Sequence, residues 1–344
     1  MKILYSILTI AFFLPFLLFG QSYTAYHTGN TKDTLTHSET GICLMGGASE
    51  NEEAMRWFLK KANGGDVLVL RASGSNGYND FMYSKLEVPL NSVESIVFHD
   101  RSASFDPTIH QKIKNAEAIW LAGGDQWKYV SYWRNTPVDS LINDAIKNRN
   151  IPIGGTSAGM AVLGGMYFSA QNNTVTSEEA LLNPFHVSVT VDSARFFQLP
   201  ILENIITDTH YTNRNRKGRH IVFLAKILTD YGIQAKGIAC DEQVAVCIEP
   251  NGLATIFGNY PKTENKAYFI QINNEISEIS PEKCSIGQPL TWNRHGKILK
   301  VYAAYGTMDG TNQFDLNNWS LGIGGKWENW SVENGVLNIL KNDK

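Results

Sequence analysis

A serine surrounded by glycines stands in the segment "IPIGGTSAGMAVLGG", residues 151–165. Residues 155–159 match the pattern G-x-S-x-G, with Ser157 at the centre and a short apolar run in front. Between a strand and a helix, this pattern is typical of a nucleophile elbow, a sharp turn that exposes the serine hydroxyl. The next amide, on Ala158, would begin the helix and act as one oxyanion donor. The alternative is a glycine-rich turn that only allows tight packing, and the preceding strand favours the catalytic interpretation.

A serine nucleophile needs a base, and His210 is the candidate among the eight histidines. It follows the apolar run "LENIIT", so we expect it at the carboxyl end of a strand, on the same edge as the elbow. Arg214, Arg216 and Arg219 come directly after it. Cations are unfavourable at a helix N-terminus, so these arginines are expected to bind an anionic ligand such as a carboxylate. The alternative is a solvated basic surface.

A second glycine turn, "WLAGGDQ", follows another apolar run. The amides of this turn, at Gly124 in particular, would supply the second oxyanion donor, and Gln126 would reach the substrate. Such a Gly-Gly-Asp turn is also common as simple punctuation between elements.

The elements that position these residues predict an α/β fold. Continuous apolar runs alternate with helical patterns from about residue 41, which indicates a doubly wound, mainly parallel sheet. The segment "GIACDEQVAVCIEPNGLATIFG" predicts a hairpin around Pro-Asn-Gly. We expect an α/β domain over residues 41–261, which carries the candidate residues above, and a small β-rich extension over residues 262–344, packed on the main sheet.

The N-terminus predicts export. Residues 1–20 contain one lysine and then an uncharged apolar run, as in a secretory signal peptide. A membrane anchor is the alternative, but no basic stop-transfer cluster follows. We therefore expect a secreted or periplasmic protein without stable membrane insertion after cleavage, beginning with a polar leader at residues 21–40.

The composition is that of an ordinary globular protein, with 43% hydrophobic and 18% charged residues. A net charge of −3 provides no electrostatic footprint for nucleic acid. Four scattered cysteines fit neither a disulfide framework nor a zinc pattern. Cys240 and Cys247 either pair in an oxidising compartment or remain buried thiols. No metal and no organic cofactor is expected.

The GGDQ turn, the GTSAG elbow and a D-x-H followed by R-x-R-x-x-R occur in this order over about residues 40–260. In these motifs and their spacing, the chain resembles the cyanophycinases and the wider dipeptidase E group of serine peptidases. The resemblance implies a three-layer sandwich like that of class I glutamine amidotransferases. It also implies a pocket for a β-linked aspartyl–arginine unit, lined by Gln126, Asp208, Arg214, Arg216 and Arg219.

The chain departs from this pattern in places. Cyanophycinases typically have Asp-Gln-His where this chain has Asp208-Thr209-His210, so Thr209 stands at one pocket position. A long gap between Ser157 and His210 suggests an inserted loop.

The resemblance puts the triad acid between the serine and the histidine in sequence, at Glu178 or Glu179 in "TSEEAL". A capping role at a helix start is the alternative for either carboxylate. Glu242, in "CDEQVAV", is a third candidate, at a strand start that could approach the same edge.

These observations predict an exported serine peptidase of cyanophycinase type that works through an acyl-enzyme. The substrate and the oligomeric state, monomer or homodimer, stay open. One alternative is an α-aspartyl dipeptidase acting on small Asp-X peptides, and the three arginines favour the longer branched substrate over it. The other is a catalytically silent protein that captures acidic peptides, against which the Ser157–His210 pair argues.

Overall fold

A large mixed sheet forms the centre of the molecule in the computed structural model, which describes residues 21–192 and 196–341. The predicted signal peptide at residues 1–20 lies outside the described residues. The strands, numbered in chain order, are β1 (Tyr23–Gly29), β2 (Ile42–Met45), β3 (Asp66–Arg71), β4 (Ser92–Phe98), β5 (Ala118–Leu121), β6 (Ile153–Thr156), β7 (Tyr167–Phe168), β8 (Val191–Asp192), β9 (Ile205–Asp208), β10 (Lys236–Cys240), β11 (Ala245–Ile248), β12 (Leu253–Tyr260), β13 (Lys266–Ile272), β14 (Leu299–Tyr305), β15 (Gln313–Asp315), β16 (Gly322–Ile323), β17 (Lys326–Glu333) and β18 (Val336–Lys341).

Five neighbouring strands of this sheet are parallel, in the order β4-β3-β5-β6-β2. Antiparallel strands flank them, with β1 on one side and β11-β12-β15-β16 on the other. The parallel strands are short and apolar because both of their faces are covered. The predicted mainly parallel α/β sheet is confirmed.

Helices cover both faces of the main sheet. The α-helices are α1 (Glu52–Lys60), α2 (Gly77–Asp80), α3 (Pro107–Asn115), α4 (Gln126–Trp133), α5 (Pro137–Asn148), α6 (Ala158–Ala161), α7 (Ser177–Leu182) and α8 (Lys217–Tyr231). Side chains of α3, α4 and α5 pack with Leu68, Leu70 and Leu121 on one face. Those of α1 pack with Val67, Val69 and Trp120 on the other, so alternate residues of each strand serve opposite layers.

The carboxyl ends of the central strands meet at one edge of the sheet. Met45 of β2 is opposite Thr156 of β6, and Leu121 of β5 is opposite Gly155. The loops that follow these three strands therefore converge, and they carry Gly46-Gly47, Ser157 and Gly123-Gly124. Ligands of open α/β sheets bind at this edge.

A second sheet has the order β18-β17-β14-β13-β10-β9. Its strands β9 and β10 are parallel, and β9 ends at Asp208, two residues before His210. Residues 262–341 contribute β13, β14, β17 and β18 to this sheet, and β15 and β16 to the main sheet. The predicted β-rich extension thus pairs directly with β10 and β12 instead of packing as a separate layer.

Two local features differ from the sequence pattern. The polar leader contains β1, which pairs with β4 as an edge strand whose residues alternate between half-buried and exposed. The predicted hairpin forms only between β11 and β12, because β10 belongs to the second sheet. The chain crosses between the two sheets at residues 241–244. None of the helices described is long and apolar enough to cross a membrane.

Candidate active site

Ser157 lies in a strained turn between β6 and α6. Its φ is 51° and its ψ is −115°, a backbone conformation that non-glycine residues keep only where the surroundings impose it. The turn leaves no room for side chains beside it. A Cβ on Gly159 would lie 2.0 Å from the Leu121 carbonyl oxygen, and one on Gly155 would lie 2.6 Å from the Gly159 carbonyl carbon. This is the geometry expected of a nucleophile elbow.

His210 contacts the serine. Its Nε2 lies 2.8 Å from Ser157 Oγ. The histidine is 5% exposed and has a φ of 46°. Its backbone N–H donates to the Gly46 carbonyl oxygen at 2.9 Å. A Cβ on Gly47 would lie 2.5 Å from Nε2, so only glycine leaves space for the ring. The structure therefore brings the two predicted residues together in a nucleophile–base geometry.

Glu242 occupies the other side of the imidazole. Its Oε1 lies 2.7 Å from His210 Nδ1. A carboxylate at Nδ1 accepts the ring N–H, which leaves Nε2 as the acceptor that faces the serine hydroxyl. Serine, histidine and glutamate thus form one continuous hydrogen-bonded chain.

The structure does not bring Glu178 or Glu179 to this histidine. Glu179 accepts hydrogen bonds from the backbone N–H and the hydroxyl of Thr176, both at 2.9 Å, in a capping box at the start of α7. Glu178 is an exposed first-turn residue of the same helix. The expectation that the acid lies between serine and histidine in sequence is therefore corrected to Glu242. Glu242 reaches the histidine because the chain changes sheets after β10, a change that the sequence pattern does not indicate.

Neighbouring side chains fix the backbone of Glu242. Its N–H donates to Asn213 Oδ1 at 2.9 Å, and its carbonyl oxygen accepts from Asn265 Nδ2 at 2.8 Å. The buried Asp241 accepts from the Thr212 N–H at 2.7 Å and from the Lys266 N–H at 2.8 Å. These contacts join the loop after His210 to the C-terminal extension, and sequence reasoning had missed them.

One of the two predicted oxyanion donors follows the serine directly in the chain. Ala158 is the first residue of α6, so its N–H has no acceptor within the helix. A Cβ on Gly123 would lie 3.5 Å from Ser157 Cβ, whereas one on Gly124 would face Ser73 Oγ at 3.3 Å. The peptide bond between Gly123 and Gly124 thus borders the site, and the Gly124 amide remains the predicted second donor.

Asp208 and Arg219 bind each other below the site. The guanidinium donates to both carboxylate oxygens, with Nε–Oδ2 at 2.8 Å and Nη2–Oδ1 at 2.6 Å. Both residues are 3% exposed, and Arg219 Nη1 also donates to Thr174 Oγ1 at 3.1 Å. Burial acts to raise the pKa of Asp208, but the adjacent guanidinium outweighs it and the pKa is lowered. The expectation that this pair contacts substrate is corrected, because their charges already satisfy each other.

Arg216 and Thr209 are also bound to each other. Arg216 Nη1 donates to the carbonyl oxygen of Thr209 at 2.9 Å and to its hydroxyl at 3.1 Å. Burial lowers the pKa of Arg216 to about 10. Thr209 is 3% exposed, so its predicted role in the pocket is corrected to support of Arg216.

An open cavity of about 870 Å³ lies over Ser157 and His210. The side chains of Lys85 and Arg214 line this cavity, and neither makes a hydrogen bond or an ion pair within the part of the chain that the structure describes. Gln126, the first residue of α4, is half-buried and lies outside the lining. The charged lining residues are Glu50, Glu52, Arg71, Lys85 and Arg214.

The surroundings of His210 lower the pKa of its imidazole. Burial lowers the pKa of His210, and the positive charges of Arg214 and Arg216 lower it further, whereas the hydrogen bond that the ring donates to Glu242 raises it. The net shift is downwards, so the ring is neutral at neutral pH and able to take a proton. Across residues 21–192 and 196–341, no group of three His, Cys, Asp or Glu side chains is arranged to hold a metal ion.

The chain is similar in sequence to known cyanophycinases. The chain is 24% identical to a cyanophycinase of Trichormus variabilis over 262 residues, which is 74% of this chain and 80% of the relative. The values are the same for a cyanophycinase of Nostoc sp.. A crystal structure of a peptidase from an acI-B1 actinobacterium aligns with a TM-score of 0.47 and 17% identity, covering 67% of this chain and 91% of that one.

The model of peptidase family S51 matches residues 42–256. This range begins with β2, ends within β12 and includes Ser157, His210 and Glu242. It confirms the resemblance to cyanophycinases and the dipeptidase E group. The chain therefore belongs to peptidase family S51 and is a serine-type peptidase.

Proposed function

We propose that this peptidase is exported and hydrolyses β-linked aspartyl–arginine peptides of the cyanophycin type, with Ser157, His210 and Glu242 as its triad. The observation that carries the catalytic part of the proposal is the continuous hydrogen-bonded chain of 2.8 Å and 2.7 Å from Ser157 Oγ through His210 to Glu242.

Each member has one role in this mechanism. Ser157 Oγ attacks the amide carbonyl carbon while His210 Nε2 takes its proton, and the Ala158 N–H stabilises the oxyanion. Glu242 holds the ring tautomer and stabilises the imidazolium. His210 then protonates the leaving amine, and water hydrolyses the acyl-enzyme by the reverse sequence.

The charges around the cavity support a substrate of mixed charge. Glu50 and Glu52 offer carboxylates to an arginine side chain, and Arg214 and Lys85 offer cations to aspartyl carboxylates. Glu52 also contacts Arg56 at 2.9 Å, and Glu50 also accepts from the Tyr78 hydroxyl. Unlike the buried pair of Asp208 and Arg219, the Glu52 side chain is 60% exposed, so a substrate arginine can still reach it. Two relatives at 24% identity are cyanophycinases, which fits this assignment.

An α-aspartyl dipeptidase is the second candidate. One observation favours it: of the three arginines after His210, only Arg214 lines the cavity, since Arg216 and Arg219 bind internal oxygens. One free arginine suffices for a single aspartyl carboxylate. A silent binding protein is disfavoured, because binding alone would not require Ser157 to keep a strained backbone.

The substrate test compares three peptides with the purified enzyme: a β-aspartyl–arginine oligomer, an α-Asp-X dipeptide and a neutral peptide. We expect kcat/KM to be highest on the oligomer, with Ser157→Ala as the inactive control. Preference for the dipeptide would assign the second function. Export is tested separately by N-terminal sequencing of the protein recovered outside the cytoplasm, where we expect loss of about the first twenty residues.

A further inference from the structure

We propose that Cys43 and Cys247 form a disulfide bond when the protein folds under oxidising conditions, joining β2 to β11. The two residues are direct partners in the antiparallel register of these strands. Their Sγ atoms lie 3.7 Å apart, although 204 positions separate the residues in sequence. This inference is independent of the proposed substrate.

The position in the ladder suits a disulfide. The Gly46 N–H donates to the Val244 carbonyl oxygen at 2.9 Å, which marks these residues as a hydrogen-bonded pair. Such pairs alternate with non-hydrogen-bonded pairs along an antiparallel ladder. Cys43 and Cys247 lie three residue pairs along the ladder from Gly46 and Val244, so they form a non-hydrogen-bonded pair. Cα atoms in such pairs lie about 4.5 Å apart, within the range that disulfides span.

Little movement is needed to form the bond. The Sγ separation of 3.7 Å must close to about 2.05 Å, which side-chain rotation and a small strand adjustment can supply. Both cysteines are 0% exposed and pack in the apolar cluster between α1 and the main sheet. Once formed, the bond would be shielded there from thiol reductants.

The other two cysteines are less suited as partners. Cys240 lies on β10 in the second sheet, and its thiol donates to the Leu44 carbonyl oxygen at 3.7 Å. Cys284 is half-buried in the extension. The pairing of Cys240 with Cys247 considered from the sequence is therefore replaced by that of Cys43 with Cys247.

The reaction is an exchange with a small-molecule disulfide, for which glutathione disulfide serves. Both S–H bonds of the cysteines break and one S–S bond forms. The two electrons reduce glutathione disulfide to two glutathione thiols, which take up the two protons. Thiolates attack in such exchanges, and burial raises the pKa of Cys247, so the bond should form while the chain folds and only slowly afterwards.

The bond would link two strands next to the active site. β2 leads into Gly46-Gly47, which contacts His210, and β11 begins three residues after Glu242. Closing a loop of this length restricts the unfolded chain strongly. We therefore expect the oxidised protein to be more heat-stable than the reduced one.

The experiment uses the full chain, unfolded in denaturant and refolded in a buffer of reduced and oxidised glutathione. Remaining thiols are alkylated and the peptides are mapped by mass spectrometry. We expect a linked peptide pair containing Cys43 and Cys247, with Cys240 and Cys284 alkylated, and a Tm higher by roughly 5–10 °C than that of the same chain refolded in the presence of a thiol reductant. Alkylation of all four cysteines, or a link through Cys240, would overturn the proposal.

Variants provide matched controls. Cys43→Ala should abolish the link, and Cys284→Ala should retain it. If Cys43→Ala does not fold, the peptide map of the unmodified sequence decides alone. Because the readout is a covalent link, it is unaffected by whether the enzyme cleaves any substrate tested.

Discussion

Glu242 and Ser157 bind opposite nitrogens of one imidazole ring. The Glu242 carboxylate lies 2.7 Å from Nδ1 of His210, and the Ser157 hydroxyl lies 2.8 Å from Nε2. Because the carboxylate determines which nitrogen carries the proton, it controls the basicity that the serine encounters. The consequences of this arrangement can be measured.

The first prediction concerns the acid. Glu242→Gln should lower kcat by roughly three to four orders of magnitude, because an amide donates to Nδ1 and favours the wrong tautomer. Steady-state kinetics measures the effect. Glu178→Gln and Glu179→Gln are the controls and should keep near-normal rates, with Glu179→Gln losing a little helix stability. A large loss in either control together with an active Glu242→Gln would reverse the assignment.

The second prediction concerns the nucleophile. Ser157→Ala should lower kcat by at least about three orders of magnitude, since the hydroxyl alone forms the acyl-enzyme. Alanine fits the same turn, so circular dichroism and Tm should remain close to those of the unsubstituted enzyme. Residual turnover near the normal rate would exclude Ser157 as the nucleophile.

The third prediction separates the arginines. Arg214→Ala should lower kcat/KM for acidic peptides by roughly tenfold to a hundredfold with little change in stability, because its side chain faces the cavity. Arg219→Ala should instead destabilise the fold by about 3–5 kcal/mol, because it leaves Asp208 buried without its partner. Peptide kinetics and denaturant unfolding on both variants distinguish these effects. Equal stability losses would contradict the distinction.

The fourth prediction concerns pH. Catalysis requires neutral His210, so kcat/KM should fall as the pH drops through its pKa. Because this pKa is lowered, the acidic limb should lie below pH 6.5, the ordinary histidine value. Arg214→Ala removes a nearby positive charge, so the limb should move to higher pH, while Arg214→Lys should leave it nearly unchanged. A shift to lower pH in Arg214→Ala would be inconsistent with this electrostatic account.

The fifth prediction concerns the space around the base. Gly47 has a φ of 107°, and a Cβ there would lie 2.5 Å from His210 Nε2. Gly47→Ala should therefore displace the imidazole and lower kcat by on the order of a hundredfold or more. Gly77→Ala is the matched control in the same cavity, because a Cβ there meets no atom within 4 Å. Similar rates for both variants would argue against the steric explanation.

The elbow and the parallel sheet could be predicted because their signals are local. Ser157 lies within five consecutive residues of a known turn pattern, and His210 follows an apolar run that forms a strand, as predicted. The expectation that this strand ends at the same sheet edge as the elbow is corrected, because β9 belongs to the second sheet and β6 to the main sheet. The alternation of apolar runs with helical patterns was enough to predict the central parallel strands.

The acid and the arginine roles depended on contacts distant in sequence. Glu242 reaches His210 because the chain changes sheets between β10 and β11, whereas the sequence pattern before the Pro-Asn-Gly turn indicated one strand of a hairpin. Arg219 resembled a ligand-binding cation because its partner, Asp208, lies on a different element 11 residues away. Charge patterns alone do not reveal which charges already neutralise each other.

The pairing of the extension with both sheets sets a limit on truncation. Cutting the chain after residue 261 would expose the backbone edges of β10 and β12, which β13 and β15 cover in the intact protein. Uncovered strand edges template intermolecular pairing. The cut would also remove Asn265 from the carbonyl oxygen of Glu242. The region matched by the family model would therefore make a poor stand-alone fragment, prone to aggregate and with its triad acid loosened.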